Sequence, residues 1–247
     1  MNDNCKCKKK KCIRHGNCIA CREYHQNSKR KRKVACERTT NALRKDLMFI
    51  FIILFCIQIV FLGIKRIVFS TAYETLYSRC MVTMLCMIVL LLIGLIYCKN
   101  KNYSLSIFPK SFSPLYLIIT VLTSCFYIAT IIFINDFSFK AILILFYGSI
   151  ITPVFEELLF RGFIWNRLNK HYNKQWKTYI IVTILFSVWH IGYAIGICFW
   201  KGGNLFTIII MKVLTGTVFG IIIGALRYKT NNCYLGIIIH GILNALS

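Results

Sequence analysis

The stretch LMFIFIILFCIQIVFLGI, residues 47–64, contains eighteen consecutive residues without a charged side chain. A helix needs roughly 20 mostly apolar residues to cross the hydrocarbon core of a bilayer, so this stretch predicts a membrane helix. Six further apolar runs occupy residues 81–97, 114–134, 141 to about 160, 178 to about 199, 205–226 and 233–246. We therefore predict an all-α, polytopic membrane bundle of about seven transmembrane helices, of which the last is short.

The composition agrees with a membrane protein. The mean hydropathy is +0.62 and 57% of the 247 residues are hydrophobic, which is too apolar for an ordinary soluble domain. The first apolar run follows a long polar arm, and no small-residue cleavage site follows that run. We therefore expect an anchored helix there and not a removable signal peptide.

Basic residues are concentrated before the first apolar run. The net charge is +23, and residues 1–46 hold 15 Lys or Arg against four acids. Because basic loops favour the cytoplasmic side, we expect the N-terminus inside and the C-terminus outside. The Lys and Arg bias of the later loops agrees, except that the first outside loop is modestly basic.

The basic arm, residues 1–46, is also rich in cysteine. A cytoplasmic arm keeps its thiols reduced, so we do not expect disulfides. One hypothesis is a small zinc site built from Cys18-x-x-Cys21 and two further ligands. Those ligands would come from Cys5, Cys7, Cys12, His15 or His25. The alternative is a disordered tail held on anionic lipid, and the few aromatic residues argue against nucleic-acid binding.

Acids are rare after the arm, yet two of them lie together in PVFEELLFRGFIW, residues 153–165. A charge at the bilayer centre costs roughly 2.5–3.5 kcal/mol, so Glu156 and Glu157 call for an explanation. Arg161 lies four residues after Glu157, on the same helix face, and predicts an ion pair. Glu156 would then point about 100° away and be left free. The alternative is that all three snorkel to the headgroups at the cytoplasmic end.

Two later runs contain polar side chains at helical spacing. FSVWH ends in His190, and HGILN places His240 and Asn244 four residues apart. A lone histidine in an apolar helix is more often a packing residue. These polar groups would be costly on separate membrane helices unless they converge, so we predict one polar pocket inside the bundle.

Such a pocket suits hydrolysis of an amide. A glutamate can activate water with help from a histidine, and His or Asn can donate to an oxyanion. Two His and one Glu are also a catalytic zinc set, so a metal mechanism stays open. The sequence lacks the G-x-S-x-G and H-E-x-x-H patterns, and Ser187 is a poor candidate nucleophile.

Three motifs in order, E-E-x-x-x-R, F-x-x-x-H and H-x-x-x-N, resemble the CAAX protease and bacteriocin-processing family of intramembrane endopeptidases. The resemblance covers roughly residues 140–247. It implies that Glu156 activates water with His190, that His240 and Asn244 support the oxyanion, and that Glu157 and Arg161 have supporting roles. We accordingly divide the chain into the arm (1–46), N-terminal transmembrane helices (47–139) and a catalytic core (140–247).

The predicted function is cleavage of a membrane-associated peptide or protein. The predicted partners are that substrate and the membrane lipid around the protein. A glutamate-type mechanism needs no cofactor, whereas the metal alternative needs zinc. Rival hypotheses are a non-catalytic scaffold or bacteriocin self-immunity protein, and a proton-coupled transporter. The Lys-, Asn- and Ile-rich composition points to a bacterial cell membrane, where a bacteriocin precursor suits better than a prenylated CAAX protein.

Overall fold

The computed structural model describes residues 7, 9, 11–28, 35–134, 136–172 and 174–246. These residues form helices and connecting loops, without a strand, as the sequence predicts. The helices are α1 (Cys18–Asn27), α2 (Ala35–Val68), α3 (Leu76–Asn100), α4 (Pro114–Ile134), α5 (Phe139–Phe146), α6 (Thr152–Glu157), α7 (Trp165–Asn169), α8 (Gln175–Lys201), α9 (Leu205–Thr230) and α10 (Tyr234–Ala245).

Six helical stretches are long and apolar enough to cross a membrane: 41–68, 76–100, 114–133, 139–169, 175–201 and 205–230. The shorter α10 is apolar but has only 12 residues. The prediction of about seven membrane helices, the last one short, is confirmed as six long apolar stretches and one short apolar helix. The chain is an integral membrane protein.

The chain packs as two compact units, residues 1–53 and 54–247. In the first unit Asn17 caps α1, because its side chain accepts a hydrogen bond from the Ala20 amide at 3.1 Å. Part of the arm is therefore helical, whereas one hypothesis was that the arm is a disordered tail. The helix α2 begins at Ala35, twelve residues before the apolar run, because the polar sequence there includes good helix formers.

In the second unit, residues 139–169 form one continuous helical run, the motif helix. Two stretches of it, Tyr147–Ile151 and Leu158–Ile164, are π-helical, with α6 between them. Wide turns of this kind are rare and occur often at functional sites. Here they bracket the glutamate pair.

A row of glycines lets α9 lie close against α8. Gly216, Gly220 and Gly224 recur every four residues on one face of α9. A Cβ built on Gly216 would lie 2.7 Å from Nδ1 of His190, and one on Gly224 would lie 2.6 Å from the ring of Tyr179. Small residues at this spacing allow close approach of membrane helices, so the row fixes α9 against the histidine-bearing helix.

The helix α10 docks on the first wide turn of the motif helix. The Asn244 side chain donates a hydrogen bond to the Gly148 carbonyl at 2.9 Å. A Cβ on Gly241 would overlap the Ser149 carbonyl oxygen and the Tyr127 hydroxyl, so glycine is required there. These contacts bring the last helix, with His240, to the glutamate pair.

Candidate active site

Glu157 is held between two partners inside the bundle. Its Oε1 accepts a hydrogen bond from Nη1 of Arg161 at 3.0 Å and another from Nδ1 of His240 at 2.9 Å. Both Glu157 and Arg161 are completely buried. The predicted i,i+4 ion pair is confirmed, and snorkelling to the headgroups does not describe these two side chains.

The Arg161 guanidinium also stacks on an aromatic ring. Its Cζ lies 4.1 Å from the centroid of the Phe186 ring, which supplies a cation–π contact in place of water. Among the described residues, Nε and Nη2 of Arg161 and Oε2 of Glu157 have no hydrogen-bond partner. The pair is thus positioned by few contacts, and removal of one member would leave an uncompensated buried charge.

Glu156 is fixed by residues of α8. Its Oε1 accepts a hydrogen bond from the Tyr193 hydroxyl at 2.5 Å and a longer one from Nε1 of Trp189 at 3.3 Å. Its Oε2 lies 3.7 Å from Nε2 of His240, beyond a direct hydrogen bond. The expectation that Glu156 is left free was wrong, because α8 presents two donors to the face it turns to.

His190 uses one ring nitrogen for positioning. Its Nδ1 lies 2.8 Å from the Phe186 carbonyl oxygen, so Nδ1 carries the hydrogen and Nε2 is left for chemistry. The ring is packed edge to face against Phe186 and Tyr193, at centroid distances of 4.8 and 5.5 Å. His190 is therefore joined to Glu156 through the Tyr193 side chain.

Phe186 lies at the centre of these contacts. Its ring is 4.8 Å from that of His190 and 5.9 Å from that of His240, and it carries the Arg161 guanidinium. The motif helix, α8 and α10 thus bring Glu156, Glu157, Arg161, His190 and His240 together, as predicted. Asn244 lies one turn after His240, with its amide on the Gly148 carbonyl.

A cavity adjoins the site. It has a volume of about 200 Å³, and Tyr193 forms part of its wall together with Tyr147 and Gly192. Because the Tyr193 hydroxyl contacts Glu156, the cavity is one side chain away from the glutamate.

Both zinc hypotheses require at least three ligand side chains close together. Among the described residues, no three His, Cys, Asp or Glu side chains lie close enough together to hold a metal ion. As placed, Glu156, His190 and His240 do not form a ready zinc set, and the described cysteines and histidines of the arm do not form one either. Cys5, a candidate ligand, lies outside the described residues.

Four contributors were missed by sequence reasoning: Trp189, Tyr193, Phe186 in its bridging role, and Gly216. Tyr193 was within reach of a spacing argument, since it follows His190 by three residues and so shares its helix face. Gly216 carries no such signal, because its role depends on the approach of a different helix.

A protein-family model agrees with the motifs. The model, described as type II CAAX prenyl endopeptidase Rce1-like, matches residues 138–246. No curated protein matches the chain, and no solved structure does. The matched region begins at the N-cap of α5 and ends just after α10, so it contains all six predicted site residues. The match supports assignment of this region, with the candidate active site in it, to the CAAX protease family.

Proposed function

We propose that this chain is an intramembrane endopeptidase in which Glu156, together with His190, activates water to cleave a membrane-associated peptide. The family match supports a CAAX-type peptidase in general. One observation carries the finer assignment. Glu156 is 1% exposed, and its Oε1 is occupied by Tyr193 and Trp189 while its Oε2 faces His240.

In this mechanism Glu156 Oε2 accepts a proton from water as the water oxygen adds to the scissile carbonyl carbon. The C–N bond then breaks, and the proton passes to the leaving amine. His190 assists through Nε2, because its Nδ1 is tied to the Phe186 carbonyl. His240, with hydrogen on both ring nitrogens, and the Asn244 amide are the proposed donors to the oxyanion. Glu157 and Arg161 hold His240 in place.

We further propose that the substrate is a membrane-associated peptide of bacterial origin, such as a bacteriocin precursor. A prenylated C-terminal peptide is the alternative that the family description suggests. The concentration of Lys and Arg in residues 1–46 supports a cytoplasmic N-terminus. We assign residues 140–247 as the catalytic core and 47–139 as the N-terminal transmembrane helices.

The test uses purified full-length protein in lipid nanodiscs and a library of membrane-associated peptides, half of them prenylated. New peptide termini are read by mass spectrometry. Wild type is compared with Glu156→Gln, His190→Ala and His240→Ala, and each is assayed with and without a strong chelator. Asp136→Asn, an exposed carboxylate substitution outside the site, is the matched control.

The proposal expects new termini with wild type and Asp136→Asn and none with the three site variants, irrespective of chelator. Loss of cleavage with chelator and recovery with zinc would replace the water-activating role of Glu156 by metal ligation. Cleavage unchanged in Glu156→Gln, or a full cellular effect of that variant without any cleavage, would support a non-catalytic scaffold instead.

A further inference from the structure

The cavity beside Tyr193 is unusually basic for the interior of a membrane bundle. Lys65 of α2, Arg79 of α3 and Lys212 of α9 all line it, and no acid does so among the described residues. The remaining wall includes the apolar Phe61 and Leu62 and the uncharged polar Gln58 and Thr83. Positive charge in such surroundings is costly unless an anion shares the space.

Arg79 is already neutralised. It forms an ion pair with Glu74, donates from Nη2 to the Gly196 carbonyl at 3.0 Å, and lies over the Trp200 ring. Lys65 and Lys212 differ from it. Within the part of the chain that the structure describes, neither makes a hydrogen bond or an ion pair. Two ammonium groups therefore line one small cavity, and Glu74, which lines an adjoining cleft with Lys65, is already paired with Arg79.

The position of Lys212 links this cavity to the catalytic residues. Lys212 precedes Gly216 by four residues, so both lie on the same face of α9. Gly216 is the residue on which His190 packs. Tyr193 lines the same cavity, and its hydroxyl donates to Glu156. An anion held by the lysines would thus be separated from Glu156 by the Tyr193 side chain.

We infer that this cavity is a substrate subsite in which Lys65 and Lys212 bind a carboxylate of the peptide, from a free C-terminus or an acidic side chain. The inference rests on the proposed function, because it names the substrate group, a carboxylate, that the proposed active site would recognise. Ammonium–carboxylate hydrogen bonds are strong in a partly dry site and give selectivity of roughly ten- to hundredfold.

A lipid phosphate is the competing occupant. A larger cleft of about 730 Å³ shares Lys65 and Arg79 with the cavity and adds Arg66 and the apolar Phe69 and Phe199. That cleft does not include Lys212 or Tyr193. Both lysines line the smaller cavity, whose wall includes Tyr193, and this favours a peptide group over a headgroup.

The experiment measures binding, so that it does not depend on cleavage. Three fluorescent apolar decapeptides share one sequence. They end in a free carboxylate, in an amide, or in an amide with one internal Asp. Their Kd values for full-length wild type, Lys65→Gln and Lys212→Gln are measured in nanodiscs of neutral phosphatidylcholine. Lys177→Gln is the matched control. Lys177 is exposed and lies near the start of α8, whereas Tyr193 of the cavity lies near the end of that helix.

Wild type and Lys177→Gln are expected to bind at least one carboxylate peptide about tenfold or more tightly than the neutral peptide. Each cavity variant should reduce that preference to within about twofold, whereas Lys65→Arg and Lys212→Arg should retain it. Comparison of the peptide with a free C-terminus and the peptide with an internal Asp shows whether the cavity binds a C-terminal or a side-chain carboxylate. Because this experiment reads binding, a carboxylate preference supports the subsite even where the library test of cleavage fails and overturns the proposed function.

Equal affinity for charged and neutral peptides, or a preference that survives both glutamine substitutions, overturns the inference. So does the absence of measurable binding. The same proteins are then examined by native mass spectrometry in nanodiscs containing phosphatidylglycerol. Retention of that lipid by wild type and its loss from both glutamine variants, without peptide selectivity, would assign the cavity to a lipid phosphate.

Discussion

Nδ1 of His240 donates a hydrogen bond to Oε1 of Glu157 at 2.9 Å. The second glutamate of the pair is therefore the anchor of the histidine, while the first faces Nε2 of the same ring at 3.7 Å. One imidazole spans two adjacent carboxylates, and each carboxylate has a separate set of donors. The stability of this arrangement depends on Arg161, the buried cation that accompanies Glu157.

Replacement of Arg161 by Met is expected to destabilise the protein by about 3–5 kcal/mol, because the Glu157 carboxylate is left buried without its cation. The thermal unfolding midpoint in one detergent measures this. The double variant Arg161→Met/Glu157→Gln removes both charges and should recover part of the loss. A double variant less stable than Arg161→Met would contradict the ion-pair account, and Lys174→Met serves as the surface control.

Gly216→Ala is expected to displace His190, since the new Cβ would lie 2.7 Å from Nδ1 of that ring. The hydrogen bond to the Phe186 carbonyl would be lost with the shift. Overpacking of this kind costs about 1–3 kcal/mol, and cleavage should fall by about tenfold or more. Unfolding midpoints and initial rates are the measurements.

The matched control for this change is Gly94→Ala. A Cβ at Gly94 meets nothing within 4 Å, and Ala is favoured over Gly in a helix by up to about 1 kcal/mol. Gly94→Ala should therefore be neutral or stabilising, with activity unchanged. If both alanine variants behave alike, close approach at Gly216 does not position His190.

Tyr193→Phe removes the shorter of the two hydrogen bonds to Oε1 of Glu156. A hydrogen bond to a charged group contributes about 1.5–3 kcal/mol, so kcat/KM should fall by roughly ten- to a hundredfold. Tyr179→Phe makes the same chemical change on the same helix, where the hydroxyl donates to the Ile221 carbonyl instead. Its activity should stay within about twofold of wild type, and equal losses in both variants would deny Tyr193 a specific role.

The Cys233 thiol, in the loop before α10, should resist alkylation. Cys233 is 1% exposed, and burial raises the pKa of its thiol to about 12. At pH 8 only about one molecule in ten thousand would carry the reactive thiolate, and the fraction grows tenfold for each further pH unit up to that pKa. Maleimide at pH 8 should therefore label Cys12 and spare Cys233.

Peptide mass spectrometry after digestion reads the two cysteines separately. Labelling in SDS is the control, because the unfolded chain should react at both. Equal rates at Cys12 and Cys233 in the folded protein would mean that the α9–α10 loop opens to solvent.

The sequence was enough to predict the membrane bundle and the buried ion pair. Apolar runs report the spans directly, and Glu157 with Arg161 follows from helix spacing alone. Hydropathy did not locate the start of α2, since Ala35 and the residues after it are helical without being apolar. The two π-helical stretches were also missed, because they arise from packing against neighbouring helices rather than from a local composition.

The environment of Glu156 shows the same limit. Its orientation away from Arg161 followed from the helical repeat, but its partners did not. Trp189 and Tyr193 reach it only because α8 lies against the motif helix. Likewise, the unpaired cations at Lys65 and Lys212 come together from α2 and α9, which are far apart in the sequence.

The wide turn at Leu158–Ile164 has a consequence for how this region tolerates change in length. An i→i+5 turn accommodates one residue more than an α-turn. Deletion of a single residue there, other than Arg161, would let the segment relax to an ordinary α-helix, and the helix on either side would keep its orientation because the wide turn holds the extra residue. Glu156 and Glu157 would then still face α8 and α10. The same deletion in the regular turns of α8 has no wide turn to absorb it and would rotate everything before it by about 100° relative to everything after it, which would dismantle the site as a whole.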